Sequence, residues 1–519
     1  MGKLDRKFWK TTVGTAVAAA FLAGLAAHLF VLVMPVHNYD DIISMPAGFG
    51  GTLTLGRWSL EIIGRFLEKL GLTYNLPTLN GLFFLTLLSV SAGFVVSFFE
   101  IRSRISAGMM GALFAVFPSV AATLFFRFTA ALYGIGVLLA VLSAWILRRS
   151  KGFGLLLSVV FGAVSMGIYQ AYIPMTISMF VLALIAQALD VHGGAPVRKL
   201  ITDGLYDCLA LVLCAALYFL CQKVAQTVSG VSLGDYKGLD TMGQIELKEL
   251  PGLIFLAFDT FLGVPFQDFC GVAVRKIQKL TYLYLGGITI ALIGYILIVK
   301  VRDVLKTAAV AVLCVLFAIA VNFIIVMTKN EGIYTLMTYA FVFVGIAPLV
   351  ILEKMPQPEG RKSDGLQPIF RKALTVGVAL LIFGYAYYDN TNYMAAYYGN
   401  RQIENYVNGI TVQVRMTEGF TPDMEWALLG DIDDPLLNCD WEEEANYVGN
   451  GFTTYLLNQY SRESWFRNYV GYKLPLVSQE REQALAESAE VKAMPCWPAE
   501  GSIQIVENTV VIKFQELGK

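Results

Sequence analysis

Long apolar stretches, separated by short polar loops, fill the chain as far as residue 388. Each stretch has about 20 residues, the length that an α-helix needs to cross a hydrocarbon core. The pattern predicts eleven membrane-spanning helices, at about residues 11–35, 79–99, 105–125, 128–147, 153–172, 173–190, 204–228, 281–299, 307–327, 334–352 and 373–388. Only Tyr169 to Pro174 separate the fifth stretch from the sixth, so a re-entrant pair is the alternative there.

The distribution of lysine and arginine predicts the orientation of these helices. An odd number of crossings puts the two termini on opposite sides, and cytoplasmic loops carry the excess of Lys and Arg. Loops on the N-terminal side hold 19 Lys and Arg, against 11 in the opposite loops before Asp389. The first apolar run is longer than that of a signal peptide and lacks a convincing cleavage site, which predicts a retained helix. We expect a cytoplasmic N terminus and an extracytoplasmic C terminus.

Composition supports a multi-pass membrane protein. Of the 519 residues, 56% are hydrophobic and 15% are charged, and the mean hydropathy is +0.59. The net charge of −1 argues against nucleic acid as a partner, but it hides an asymmetry. Residues 1–388 carry 30 Lys+Arg and 20 Asp+Glu, a net +10, whereas residues 389–519 carry 9 and 20, a net −11. We therefore expect a transmembrane domain, 1–388, and an extracytoplasmic domain, 389–519.

Three sizeable pieces are predicted outside the membrane. The first, 36–78, contains an amphipathic helix at about 58–70 that should lie on the membrane surface. The second, 229–280, contains an apolar run, 253–269, that is interrupted by acidic residues and proline, which favours an interfacial or re-entrant segment.

The third piece, 389–519, predicts a small α/β domain. Helices are expected near 391–417, 441–470 and 478–489, a strand at Glu425–Leu429, and a closing hairpin formed by Ile503–Val506 and Thr509–Phe514. Cys439 and Cys496 are the two cysteines of this domain, and outside the cytosol they could pair as a disulfide.

Two adjacent carboxylates, Asp40 and Asp41, follow the end of the first predicted helix. One interpretation is an ordinary solvated loop. The other is a site at the membrane surface, where a carboxylate deprotonates an acceptor hydroxyl or binds a divalent cation such as Mg²⁺ or Mn²⁺. Because neighbours in sequence point in different directions, we expect one of the two to face the substrate.

Cations and aromatic residues near the same side form a second set of candidates. Guanidinium and ammonium groups there either snorkel to lipid headgroups or bind a donor phosphate. The candidate phosphate ligands are Arg57, Arg127, Arg275, Lys276 and Lys329. Candidate sugar-binding residues are Trp58, Tyr169, Gln170 and Tyr172, although aromatic belts also place tyrosines at helix ends.

Other motifs exclude whole classes of site. The chain lacks the G-x-x-x-x-G-K-[ST] motif of P-loop ATPases. Its three histidines lie far apart in sequence, which argues against a histidine-rich zinc site. The DxD sequence Asp431-Ile432-Asp433 is interpreted as an acidic turn, because a nucleotide donor is not expected outside the cell.

Three segments resemble one family. The segments His37-Asn38-Tyr39-Asp40-Asp41 with Gly56-Arg57-Trp58, Gly167–Tyr172 and Met494–Pro498 are similar to those of the bacterial polytopic glucosyltransferase type II family. The resemblance implies a GT-C-like enzyme of the bacterial cytoplasmic membrane. It would transfer glucose from a polyprenyl-phosphate donor to a cell-surface polysaccharide, such as O-antigen, or a glycolipid. It also implies that an acidic residue of the first outer loop, Asp40 or Asp41, is the base.

The resulting hypothesis is direct displacement, with inversion, at the anomeric carbon of a donor that lies in the membrane lipid. Asp40 or Asp41 is the base, and Arg57 is the first choice for holding the departing phosphate. The main alternative is a transporter or flippase of lipid-linked sugar, which would need no catalytic carboxylate; no internal repeat supports it. A polysaccharide ligase or polymerase, using a pyrophosphate-linked donor, shares most of the same features.

Overall fold

The computed structural model describes residues 9–34, 36–150, 152–191, 194–234, 246, 248–330, 332–355, 366–432 and 454–517. The chain divides into two compact units. Unit 1 comprises Met1–Val33 and Phe49–Asn390, and unit 2 comprises Met34–Gly48 and Thr391–Lys519. The segment that carries Asp40 and Asp41 is therefore grouped with the C-terminal residues.

Helices make up almost all of the regular structure before residue 424. In chain order they are α1 (Gly14–Val33), α2 (Tyr39–Ile43), α3 (Trp58–Lys69), α4 (Pro77–Phe98), α5 (Arg104–Val116), α6 (Pro118–Leu124), α7 (Arg127–Arg149), α8 (Phe153–Ile168), α9 (Ile173–Leu189), α10 (Val197–Ser229), α11 (Leu250–Gly263), α12 (Lys276–Tyr295), α13 (Val304–Val321), α14 (Phe323–Met327), α15 (Val342–Leu352) and α16 (Gln367–Met416).

Eight helices in the described part of the chain are long and apolar enough to cross a membrane, which makes this a membrane protein. They are Lys10–Val33, Pro77–Phe98, Arg127–Arg149, Gln170–Leu189, Val197–Ser229, Lys276–Val301, Val304–Val321 and Gln367–Met416. The pair α5 and α6 forms a ninth if the two count as one span. All eleven predicted segments contain helix, but α8 and Tyr339–Leu352 are shorter than a full span. The count of eleven, the GT-C fold and the orientation remain predictions.

Proline explains the break between α5 and α6. The residue before a proline is pushed out of the α region, and Phe117 accordingly has φ −66° and ψ 140°. The two helices are bent by 41° at this point. The predicted span 105–125 therefore consists of two helices, which form either one broken span or a re-entrant loop.

Close backbone contact characterises the packing of α1 on α5 in unit 1. A Cβ atom added at Gly111 would lie 2.2 Å from the carbonyl oxygen of Ala16. Glycine at this position lets the two helices approach, as small residues do at membrane helix interfaces. Close to the same interface, the His28 ring is fully buried and its Nε2 lies 2.9 Å from the carbonyl oxygen of Ala115.

Two apolar segments outside the long spans are helical: α3 ends one residue before the predicted 58–70, and α11 covers only part of the predicted run 253–269. Helix α3 buries Leu60 but exposes large apolar side chains at Ile62, Phe66 and Leu70, as an interfacial helix does. Helix α11 has 14 residues, too few for a full crossing.

Unit 2 contains a small sheet near the C terminus. Strand β1 (Glu425–Leu429) pairs in parallel with β3 (Thr509–Lys513), and β3 pairs antiparallel with β2 (Ile503–Val506). The order is therefore β1-β3-β2. The hairpin turns at Glu507 and Asn508, which have φ of 47° and 61°. The predicted strand and hairpin are confirmed.

The described C-terminal part of unit 2 also contains three short α-helices, and a buried lysine caps the last of them. They are α17 (Arg462–Ser464), α18 (Gln479–Glu487) and α19 (Ala489–Ala493). The fully buried Lys513 donates from Nζ to the carbonyl oxygens of Lys492 and Met494, at 3.0 and 2.7 Å, and so caps α19. Cys439 and Asp433 lie outside the described residues, so the disulfide and the acidic turn remain predictions.

We expect Gly111→Ala to destabilise the helix packing, because the new methyl group would meet the Ala16 carbonyl. Overpacking of this kind costs about 1–3 kcal/mol. Thermal unfolding of the purified protein in detergent measures the effect. Gly108→Ala is the matched control in the same helix, since its Cβ would lie 3.6 Å from the nearest atom, an ordinary contact. Equal melting temperatures for the two variants would contradict this account of the interface.

Candidate functional site

Asp40 and Asp41 lie in the first turn of the short helix α2, in unit 2. The helix begins there because Asn38 is its N-cap: the Asn38 Oδ1 accepts a hydrogen bond from the Asp41 amide at 2.7 Å. Two carboxylates in a first turn also interact favourably with the positive end of the helix dipole. The local sequence therefore fixes the backbone that carries both acids.

Asp41 is fully buried and paired with His37. Its Oδ2 lies 2.7 Å from Nδ1 of the imidazole. The backbone of His37 is held in turn by Asn400 of α16, whose Oδ1 accepts from the His37 amide at 2.6 Å and whose Nδ2 donates to the His37 carbonyl at 3.1 Å. Asp41 is therefore a buried member of a set of contacts at the start of α2, formed by His37, Asp41 and Asn400, that we call the clamp.

Side chains from the C-terminal part of the chain surround this clamp. The His37 ring meets the rings of Tyr469 and Trp465 edge-on, with centroids 5.2 and 6.4 Å away. Asn468 donates to the carbonyl oxygen of Ile42 at 3.0 Å, at the end of α2. Residues from 465 onward thus hold α2 within unit 2.

Asp40 has a different environment from its neighbour. It is half-buried, and the hydroxyl of Tyr460 donates a hydrogen bond to its carboxylate. The pKa of Tyr460 rises to about 12, through partial removal from water and then through the nearby Asp40 charge. Tyr460 therefore stays protonated as a donor at neutral pH, and Asp40 is partly exposed.

The two carboxylates do not fit a shared metal site. One is engaged by His37 and the other by Tyr460. Among the residues that the structure describes, no group of three or more His, Cys, Asp and Glu could hold a metal ion. Proton transfer by either carboxylate remains a prediction.

In unit 1, Arg57 lies above two stacked aromatic rings. Its Cζ is 5.1 Å from the ring centroid of Tyr169 and 5.9 Å from that of Tyr133. These two rings stack on each other with centroids 4.9 Å apart, and the buried Tyr172 packs edge-on against both. The negative faces of the rings stabilise the guanidinium. We call Arg57, Tyr133, Tyr169 and Tyr172 the arginine platform.

A set of side-chain hydrogen bonds fixes the loop that leads to Arg57. Gln170 donates to the Leu55 carbonyl at 2.7 Å, and the Tyr218 hydroxyl donates to the Gly56 carbonyl at 3.0 Å. The Gln170 amide also contacts the Tyr218 hydroxyl at 3.1 Å. Gln222, one turn further along α10, donates to the Leu53 carbonyl at 3.3 Å. We call these contacts the loop latch, because they tie residues 53–56 to the helical core.

Glycine is required at the centre of the loop latch. Gly56 has φ of 71°, in the left-handed region. A Cβ atom there would lie 2.7 Å from both Gln170 Nε2 and Tyr218 Oη. The glycine thus allows the hydrogen bonds that place Arg57.

The four predicted sugar-binding residues contact other side chains or the backbone within unit 1. Gln170 belongs to the loop latch, and Tyr169 and Tyr172 to the arginine platform. The ring of Trp58 packs against a buried cluster that includes Ala163, Met166 and Tyr218. Direct contact of these four residues with a sugar remains a prediction.

The other predicted phosphate ligands have neighbours of their own. Arg127 is fully buried at the start of α7. The Arg275 guanidinium lies 5.2 Å from the ring centroid of Tyr387, and Lys276 is exposed at the first position of α12. Lys329 pairs with Glu249 at 3.1 Å. Arg57 lies on the arginine platform, and the loop latch holds the residues that precede it.

The sequence does not predict the roles of several residues that surround Asp40 and Asp41 in unit 2, or Arg57 in unit 1. The missed residues are His37, Asn400, Tyr460, Trp465, Asn468 and Tyr469 in unit 2, and Tyr133, Tyr218 and Gln222 in unit 1. A usable signal existed for His37, since histidine four residues before an aspartate on a helix start can reach it. The others come from distant parts of the chain.

Comparison with known proteins assigns a family. The family model described as glucosyl transferase GtrII matches residues 29–345, which is more than half of the chain. The match includes Asp40, Asp41 and the arginine platform, and it ends before most of unit 2. No curated protein and no solved structure gives a match. The chain therefore belongs to the GtrII glucosyl transferase family.

Proposed function

We propose that this membrane glucosyltransferase moves a glucosyl group from a polyprenyl-phosphate donor to a cell-surface polysaccharide or glycolipid, at the outer face of the bacterial cytoplasmic membrane. The family match is the observation that carries transfer of glucose, and it favours an enzyme over a flippase. A lipid-phosphate donor agrees with a membrane-embedded chain that has no P-loop motif. The distribution of Lys and Arg supports the outer location of the first loop.

In the proposed reaction an acceptor hydroxyl attacks the anomeric carbon of the donor glucose. The acceptor O–H proton passes to Asp40, a new C–O bond forms, and the bond between the anomeric carbon and the phosphate oxygen breaks. The polyprenyl phosphate leaves with the bonding electron pair. Displacement from the opposite side inverts the anomeric configuration.

Asp40 is the proposed base because its carboxylate is partly exposed, whereas Asp41 is buried against His37. A general base must reach the proton that it removes. We assign Asp41 a positioning role, since its contact with His37 ties the start of α2 to the clamp formed with Asn400.

Arg57 is the proposed ligand of the departing phosphate. Its guanidinium lies on the arginine platform, and the loop latch holds the backbone on either side of Gly56. A cation fixed in advance binds the negative charge that the donor phosphate already carries, and it stabilises the further charge that develops as the phosphate leaves, without reorganisation. The divalent cation considered from the sequence is not needed for this arrangement.

We expect Asp40→Asn to lower the rate of glucosyl transfer by about 10²–10⁴-fold, the usual contribution of a general base. The measurement is transfer of radiolabelled glucose from synthetic polyprenyl-phosphate glucose to cell-envelope acceptor by the purified protein. Asp41→Asn is the matched control, and we expect it to lose less activity while melting at a lower temperature. Full activity of Asp40→Asn would exclude Asp40 as the base. An inactive wild type that moves the donor across reconstituted vesicles would establish a flippase.

We expect Tyr218→Phe to raise the KM for the donor several-fold while changing kcat less. The variant removes a hydroxyl that hydrogen-bonds to Gly56, and a lost hydrogen bond of this kind costs about 1 kcal/mol. Arg57→Ala should raise KM further, because it removes the cation itself. Tyr206→Phe, on the same helix, is the control and should behave as wild type. Unchanged donor KM in both Tyr218→Phe and Arg57→Ala would show that the loop latch does not serve donor binding.

A further inference from the structure

A groove of about 660 Å³ lies among helices α9, α10, α13 and α14 of unit 1. Its floor is formed by buried side chains, including Phe180, Leu184 and Leu200. Its rim is formed by exposed ones, including Leu205 and Val312, which are 65% and 59% exposed. The groove is therefore open at the side, towards whatever surrounds the helices.

We expect hydrocarbon around this groove. Three of its walls belong to candidate membrane spans: Gln170–Leu189, Val197–Ser229 and Val304–Val321. Among the described lining residues one side chain is charged, Asp207, and it is held by Arg148 at 2.5 Å, with Asp203 3.6 Å from the same arginine. An apolar groove of this kind stays free of water. A hydrocarbon chain is the ligand that fits it.

One end of the groove is rich in cations. Val197 and Leu305 line this end, where α10 and α13 begin, and Arg198, Lys199 and Lys306 adjoin them in sequence. Within 190–199 and 300–306 there are five cations, Arg198, Lys199, Lys300, Arg302 and Lys306, against two carboxylates, Asp190 and Asp303.

One of the two carboxylates at this end is hydrogen-bonded to the backbone of the protein. Asp303 caps α13 by accepting from the Lys306 amide at 3.1 Å. Lys306 Nζ donates to the Gly194 carbonyl at 3.3 Å, which holds its charge at the end of the groove. The positive ends of the dipoles of α10 and α13 add to the field of the cations.

We propose that this groove binds an anionic membrane phospholipid, with one acyl chain between α10 and α13 and its phosphate at Arg198, Lys199 and Lys306. Basic pockets between membrane helices are suited to such headgroups. The high density of Lys and Arg places this end on the predicted cytoplasmic side, opposite to the proposed site of glucosyl transfer. A structural lipid therefore fits the groove better than the chain of the sugar donor. The proposal does not depend on the identity of that donor.

Native mass spectrometry of the full-length protein in detergent tests the proposal. Phosphatidylglycerol and phosphatidylcholine with identical acyl chains are titrated separately, and we expect tighter binding of phosphatidylglycerol. The triple variant Arg198→Gln/Lys199→Gln/Lys306→Gln should bind phosphatidylglycerol about tenfold more weakly or worse, given the contribution of each cation near a phosphate. Ala309→Trp, which fills the groove from α13, should abolish the preference for phosphatidylglycerol.

Matched controls separate this site from general lipid contact. Ala311→Trp places the same side chain on an exposed position of α13 outside the groove. The triple variant Arg104→Gln/Arg371→Gln/Lys372→Gln removes three cations elsewhere in unit 1. Both controls should bind phosphatidylglycerol as the wild type does.

Three results would overturn the proposal. The first is equal affinity for the two phospholipids, and the second is wild-type binding by both groove variants. The third is displacement of phosphatidylglycerol by an equimolar polyprenyl phosphate, which would make the groove a site for the donor chain. Circular dichroism of each variant shows that lost binding is not lost folding.

Discussion

In the hydrocarbon region every backbone amide and carbonyl must be paired, and the α-helix is the structure that pairs them within one segment. Where the backbone is irregular, as functional sites often require, its amide and carbonyl groups must be paired with side chains instead. The same need arises in the loop latch, which lies in the predicted outer loop 36–78: Gln170 and Tyr218 supply hydrogen bonds to the carbonyls of Leu55 and Gly56. Polar side chains on membrane helices are costly, so their use here marks a loop whose conformation matters.

Much of the fold can be predicted from the sequence, because long apolar runs, and short β-branched segments beside turn residues, are strong signals. The strand Glu425–Leu429 and the first hairpin strand Ile503–Val506 have the predicted residues, and the second, Thr509–Lys513, ends one residue before its predicted end at Phe514. The number of crossings is harder to predict. Hydropathy does not register the extended backbone of Phe117 before Pro118, or the end of α8 at Ile168. Both depend on local backbone conformation inside an apolar run.

The candidate site can be predicted in part. The sequence identifies Asp40, Asp41 and Arg57 as chemistry-bearing residues, because carboxylates and a guanidinium stand out at the end of an apolar helix. It does not identify their partners. Asn400 lies 363 positions from His37, and Tyr218 lies 162 positions from Gly56. No periodic pattern links residues at such separations, and only the folded chain brings them together.

The difference between Asp40 and Asp41 follows from helix geometry. Consecutive residues on a helix point about 100° apart, as 3.6 residues per turn requires. When Asn38 starts α2 and Asp41 turns inward to His37, Asp40 must point away from that pair. One carboxylate can then hold the turn while the other keeps a partly exposed face beside Tyr460. A single aspartate could not do both, because burial against His37 removes its carboxylate from the surface that a substrate hydroxyl must reach.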